Sequence, residues 1–244
     1  MRLLSASKLL SVWEQALDCS TVERALVLLN AACPESTLED LARLSIGRRD
    51  RLLMAMRERT FGSRMLSRAS CRQCGEWMEL SFDLSQIRVE QEAITADVLS
   101  LQVEDYEIDF RLPNSKDLMS VLGCRDVETG RRLLFARSIV RAAQGGEERG
   151  GEELPEQVRQ AVAKKMAEAD PQAEVQLELL CPSCGHRWLM TFDIVSYFWV
   201  ELNAWAYAVL REVHTLAAAY GWREQDVLAM SAGRRQVYLE MVGG

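Results

Sequence analysis

The sequence predicts an α+β protein, mostly helical, with helical layers at its two ends and a small β element between them that carries a long mixed insertion. Three observations predict it. Apolar residues recur at three- and four-residue steps through the first 62 residues and again from residue 194 onward. Two short runs, Trp77 to Phe82 and Val175 to Leu180, carry the alternation and apolar content of strands. Finally, CRQCGEWMELSFDL from Cys71 is echoed by CPSCGHRWLMTFDI from Cys181, at an offset of 110 residues.

At 244 residues the chain is long enough for one large domain or two small ones with a real core. A composition of 48% hydrophobic and 27% charged residues excludes wholesale disorder. No apolar run approaches the ~20 residues of a membrane span. The opening MRLLSASKLLSVWEQALD has Glu14 and Asp18 inside its apolar pattern and reads as a first helix, not a signal peptide. A cytoplasmic protein with reduced cysteines is the expectation.

The elements follow in order. Ser7 is the expected cap of a helix to Asp18, with Leu9, Leu10, Trp13 and Leu17 on one face. Ser20 or Thr21 begins a second helix with Val22, Leu26 and Leu29 periodic, and Pro34 lies past its end. Thr37 with Asp40 begins a short third. Ser45 begins a fourth, which carries Leu52, Leu53 and Met56 and stops at Gly62. These helices make residues 1–64 a helical region.

Residues 65–112 form the first cysteine turn with its strands, the second being Tyr106 to Leu112 before Pro113. Residues 113–172 form a helical insertion, Ser115 to Leu122 and Val127 to Ala143, then Pro155 to about Ala169. It is interrupted by the glycine-rich acidic stretch 145–153, expected to be a mobile loop. Residues 173–194 hold a strand and the second cysteine turn. Residues 195–244 complete the C-terminal helical region, dominated by the helix from Ile194 to Tyr220 with Gly221 as its stop, and two short helices follow it.

Cys71, Cys74, Cys181 and Cys184 are the candidate metal ligands. Zinc takes four thiolates at tetrahedral corners, and a Cys-x-x-Cys turn presents two sulfurs on one side. Gly75 and Gly185 suit a turn that continues with positive φ. Each pair precedes a strand, the layout of a zinc-ribbon-like element holding structural Zn2+. The 106 residues between the pairs exceed the usual ribbon spacing. Lengthening a loop sevenfold costs only about 1.7 kcal/mol, against roughly 10–16 kcal/mol for structural zinc in small peptides. A metal shared across a dimer, redox dithiols and unrelated buried cysteines are the competing readings. His186 is expected to be a neighbour and not a ligand; Cys19, Cys33 and Cys124 are expected to be small buried hydrophobes. Asp83 and Asp193, after the strands, are expected to cap the next elements.

No catalytic constellation is present: the chain has two histidines, His186 and His214, and no nucleophile elbow or phosphate loop. Four cysteines leave no open metal position, so no enzyme is expected. Net charge is −7, yet Arg43 to Arg72 holds nine arginines and two acids, +7 locally against −14 elsewhere. A zinc-ribbon nucleic-acid-binding protein using that basic segment is the alternative, disfavoured by a pI near 5.1 and the absence of basic–aromatic interleaving. An arginine-rich face that docks on an acidic protein explains the same charges, and Arg48, Arg49, Arg51, Trp205 and Tyr207 are the candidate partner-binding residues. A second echo, Ser-x-Gly-Arg-Arg from Ser45 and from Ser231, is read as recurring helix-start chemistry.

LARLSIGRRDRLLMAMRERTFGSR (Leu41 to Arg64) with CRQCGEWMELSFD resembles the baseplate-hub assembly chaperone family of T-even-like phages and related contractile injection systems. CPSCGHRWLMTFDIVSYFWVELNAW and LREVHTLAAAYGWREQDVLAMSAGRRQVYLEMV resemble the same family's C-terminal half. The resemblance covers most of the chain and is weakest in Glu90–Val103 and Gly145–Leu154. It implies a non-enzymatic accessory protein whose partners are baseplate hub or spike proteins. The metal expectation rests on this sequence, because the family includes members lacking some of the cysteines.

Overall fold

The computed structural model describes residues 1–89 and 96–243, so the Glu90–Val103 stretch lies partly outside the described residues. In chain order the N-terminal helices are α1 (Ala6–Ala16), α2 (Thr21–Ala32), α3 (Leu38–Arg43) and α4 (Ile46–Phe61). They lead into β1 (Arg64–Ser70), β2 (Trp77–Asp83), β3 (Leu99–Val103) and β4 (Tyr106–Phe110). Next come α5 (Ser115–Val121), α6 (Val127–Ser138), β5 (Ile139–Gln144), β6 (Glu147–Glu148), α7 (Glu156–Ala169), β7 (Val175–Leu180) and β8 (Arg187–Phe192). The chain ends with α8 (Ile194–Tyr220), α9 (Glu224–Leu228) and α10 (Ala232–Gly243). The fold is mixed α+β, mostly helical, with small antiparallel sheets.

The chain divides into two compact units, Met1–Glu35 with Ile194–Gly244, and Ser36–Asp193. The named elements of the first unit are all helices, drawn from both the N-terminal and the C-terminal parts of the sequence. α8 buries Phe198, Leu202, Ala206, Val209, Val213 and Leu216, a stripe at three- and four-residue steps. Leu9, Leu10, Trp13, Leu26 and Leu29 of α1 and α2 are also core residues. The Trp13 indole N–H donates to Asn203 Oδ1 at 2.9 Å, so this aromatic enters the core with its polar atom satisfied. Arg24 lies over the Trp199 ring at 4.3 Å and donates to the Ala16 and Leu17 carbonyls at the end of α1. Ser5, not Ser7, caps α1, accepting from the Lys8 N–H at 3.3 Å. The earlier serine lets residues 6 and 7 join the helical ladder. Leu17 then falls at the C-terminal cap and is exposed instead of facing the core.

In the second unit, Ser45 caps α4 and Gly62 ends it. β1 and β2 form one antiparallel hairpin and β7 and β8 another. The third sheet has the order β3-β4-β5-β6. Its Ile108, Phe110 and Ala142 form a core cluster with Leu154, Val158 and Val162 around α7. Two differences from the sequence expectation arise here. The helix expected to reach Ala143 ends at Ser138, and Ile139–Gln144 becomes a strand paired to β4. The open edge of β4 gives those backbone groups partners, and a β-branched pair, Ile139 and Val140, suits them. The stretch 145–153 holds a two-residue hairpin turn, β6 and a 3-10 turn at Gly151–Glu153. Gly145 and Gly146 both have positive φ, 59° and 89°, the requirement of a tight hairpin connection.

Candidate metal centre

The two cysteine turns are copies of one local structure. In the first, the Cys71 N–H donates to the Glu76 carbonyl at 2.8 Å and the Gly75 N–H donates to the Cys71 carbonyl at 2.9 Å. In the second, the Cys181 N–H donates to the His186 carbonyl at 2.9 Å and the Gly185 N–H to the Cys181 carbonyl at 2.9 Å. Gly75 and Gly185 have φ of 76° and 72°, so each turn uses the left-handed conformation that glycine takes without strain. The hairpin strands enter and leave each turn, which fixes the direction of both sulfurs of a pair.

The turns face one another, and all four sulfurs lie within 4.8 Å of each other. Cys71 and Cys184 Sγ are 3.6 Å apart, as are those of Cys74 and Cys181. A tetrahedron of sulfurs 2.3 Å from a central ion has edges of about 3.8 Å. A disulfide requires about 2.05 Å, far shorter than these separations. Cys71 and Cys181 are buried and Cys74 and Cys184 exposed, so the cluster has a closed side and a side open to solvent. The donor set and spacing fit one divalent ion, with all four ligands from a single chain. Strands flank both turns, which is unlike the helix-borne dithiol of a thioredoxin-type redox site.

The thiols also titrate as a crowded set. Burial pushes the Cys71 thiol up, but backbone N–H groups of Cys74 and Gln73 and the neighbouring thiols outweigh it, and the net value falls to about 6. At Cys184 the His186 N–H favours the thiolate, yet burial and the other three cysteines push it up to about 12. The first negative charge is welcome and further ones are opposed. A bound cation removes that opposition.

A family model described as T4 bacteriophage base plate protein matches residues 5–199. The chain belongs to that family. The matched stretch holds both cysteine turns and covers most of the chain. No curated protein and no solved structure matches it. Among the described residues no helix is long and apolar enough to cross a membrane.

Around the centre, the remaining candidates are placed as follows. His186 stacks on Trp188 with centroids 5.5 Å apart and is outside the four-sulfur group. Cys19, Cys33 and Cys124 are half-buried, less enclosed than expected of small core residues. Asp83 caps the 3-10 turn Leu84–Gln86 and accepts the Ser63 hydroxyl at 2.6 Å. That hydroxyl and the Ser85 N–H hold its carboxyl down at about 2. Asp193 immediately precedes α8.

The basic segment is largely absorbed by structure. Arg49 is only 5% exposed and pairs with Asp50 at 2.7 Å, which removes it from any partner-facing surface. Arg57, 2% exposed, donates to the Gly62 and Arg64 carbonyls at 2.6 and 2.8 Å and joins the end of α4 to the start of β1. Arg43 pairs with Glu39 and Arg68 with Glu79. Arg48 is exposed, and Arg51 is half-buried. Trp205 is half-buried, and Tyr207 is exposed with its ring edge-on to Trp13 at 5.5 Å. The Ser-x-Gly-Arg-Arg echo is helix-start chemistry with a further part. The serines bond the first-turn backbone, and the second arginines, Arg49 and Arg235, are both buried in ion pairs.

Proposed function

We propose that this base plate protein is a non-enzymatic assembly component that binds hub or spike proteins as the baseplate of a contractile phage tail, or of a related injection system, is put together in the cytoplasm. One structural Zn2+ held by Cys71, Cys74, Cys181 and Cys184 stabilises it. The observation that carries the reading is the family match across residues 5–199, within which the four-cysteine cluster lies. Four protein sulfurs fill every position of a tetrahedral ion, which suits a structural role and leaves no site for a reacting water. Such an ion ties β1–β2 to β7–β8, the two hairpins at the ends of the Ser36–Asp193 unit's β-containing stretch.

The nucleic-acid alternative has little support from the arginines of Arg43–Arg72, since the buried or paired ones named above already serve the fold. Co-purification of the tagged chain from cells producing the whole tail tests the proposal. Recovery of hub or spike components supports it. Recovery of DNA or RNA alone, released by salt, overturns it.

A further inference from the structure

The described lining of a 310 Å³ recess in the Ser36–Asp193 unit holds five cationic side chains, Arg43, Arg48, Arg111, Lys116 and Arg137, and two carboxylates, Asp97 and Asp117. At its floor Asp117 is buried and holds two guanidiniums. Arg111 binds it through both Nη atoms at 2.5 and 2.8 Å, and Arg137 through Nε at 3.1 Å. Burial alone would raise this carboxyl; Arg111, the Asn114 N–H and Arg137 outweigh burial and hold it below its ordinary value. One carboxylate therefore anchors two cations, and the Nη groups of Arg137 have no partner among the described residues. At the rim, Arg43 and Lys116 share the single carboxylate of Glu39. Arg48 also lines the recess, and its guanidinium has no partner among the described residues. Asp97 is the other acid in the lining. The amino end of α4 borders the recess at Ser45, but its Ile46 and Gly47 N–H groups already donate to the Pro113 carbonyl at 3.1 Å and the Asp170 carboxylate at 2.8 Å, so the side-chain cations carry the positive charge.

In a chain of net charge −7 this is, among the described residues, a local excess of cations, which a bound anion would offset. Guanidiniums grip carboxylates and phosphates through paired N–H groups, and Arg137 is held in place for it by Asp117. The recess is small, at the low end of ligand-pocket volumes, and suits one or two acidic side chains better than a nucleic-acid backbone. The geometry points to this recess as a binding site for the carboxylates of an acidic segment of a protein partner, gripped by Arg48 and Arg137. This rests on the assembly reading for the partner's identity, and only for that.

The test uses the full-length chain as purified and a hexaglutamate peptide followed by calorimetry, with hexaglutamine, inorganic phosphate and hexathymidylate as comparison probes. Hexaglutamate is expected to bind, more weakly as salt rises, and to lose roughly tenfold in affinity in Arg48→Glu and in Arg137→Gln, while Arg2→Glu changes nothing. Arg48 is exposed, so its variant tests the site without a folding question. Absence of hexaglutamate binding, binding untouched by Arg48→Glu, phosphate binding without peptide binding (an adventitious ion only), or stronger binding of hexathymidylate would each overturn the site. Arg48-dependent peptide binding supports the recess even where no base plate component co-purifies; in that case the assembly reading is what falls.

Discussion

Phe82 and Phe192 hold the same position in the two cysteine hairpins, and their rings meet edge to face with centroids 5.8 Å apart at 89°. Phe82 lies opposite Met65 and Phe192 opposite Val175 in the two registers. The hairpins are thus joined by side-chain packing as well as by the four-sulfur cluster, and the Phe-Asp echo in the sequence marks that contact.

Both rings are half-buried, so truncation removes less than a full core contact. Phe82→Ala and Phe192→Ala are each expected to cost about 1–2 kcal/mol, with a coupling of about 0.5–1.5 kcal/mol in the double variant. Urea denaturation of the metal-loaded protein measures it. Strict additivity would mean that the rings do not act on one another.

Gly75 and Gly185 tolerate a Cβ sterically, since nothing lies within 4 Å of where it would sit, but their φ does not. Gly75→Ala is expected to cost about 1–2 kcal/mol and Gly75→Asn less, because asparagine enters the left-handed region more easily. Thermal unfolding of the two variants should rank them in that order. A Gly75→Ala protein as stable as the parent would contradict the turn geometry.

Arg57 is buried in service of the backbone, while the exposed guanidinium of Arg48 has no partner among the described residues. Arg57→Leu leaves the Gly62 and Arg64 carbonyls without their donor and is expected to cost about 2–4 kcal/mol. Arg48→Glu should change stability by no more than about 0.5 kcal/mol. Denaturation midpoints of the pair make the comparison.

These arginines show where reading the sequence stops. Counting charges locates the basic segment but cannot tell Arg48 from Arg49 or Arg57, because each one's role depends on which backbone or carboxylate it meets after folding. The cysteine centre was legible: spacing, glycine and the Phe-Asp echo are all local signals. β1 was not, since RMLSRAS lacks a clean alternation and is a strand because β2 pairs with it. Helical periodicity gave the faces of α8 and, Leu17 apart, of α1 without saying what they face. The Trp13–Asn203 bond spans 190 residues, and no local pattern encodes it. The Asp117 recess left no signal either, as Arg111, Asp117 and Arg137 come from separate elements.

Asp50 gives the protein an unusual pH response. Burial pushes its carboxyl up to about 6 against the pull of Arg49, with Asp193 and Asp170 adding to the rise. The folded state therefore takes up this proton near pH 6 and the unfolded state near 3.8. The sign follows: this group's contribution to stability increases as pH falls from 7 towards 4, and its ionised form is a cost above pH 6. Relative to the parent, Asp50→Asn is expected to gain as pH rises from 4 to 7, by up to about 3 kcal/mol. Melting temperatures of both proteins across that range check it, and parallel curves would contradict it.

The claim that two remote cysteine turns of one chain hold one zinc ion is most directly tested by X-ray absorption on the protein purified as a monomer. The spectrum should show one zinc per chain with four sulfur neighbours at about 2.3 Å. A first shell containing nitrogen or oxygen, or zinc present only in a dimer, would contradict the account.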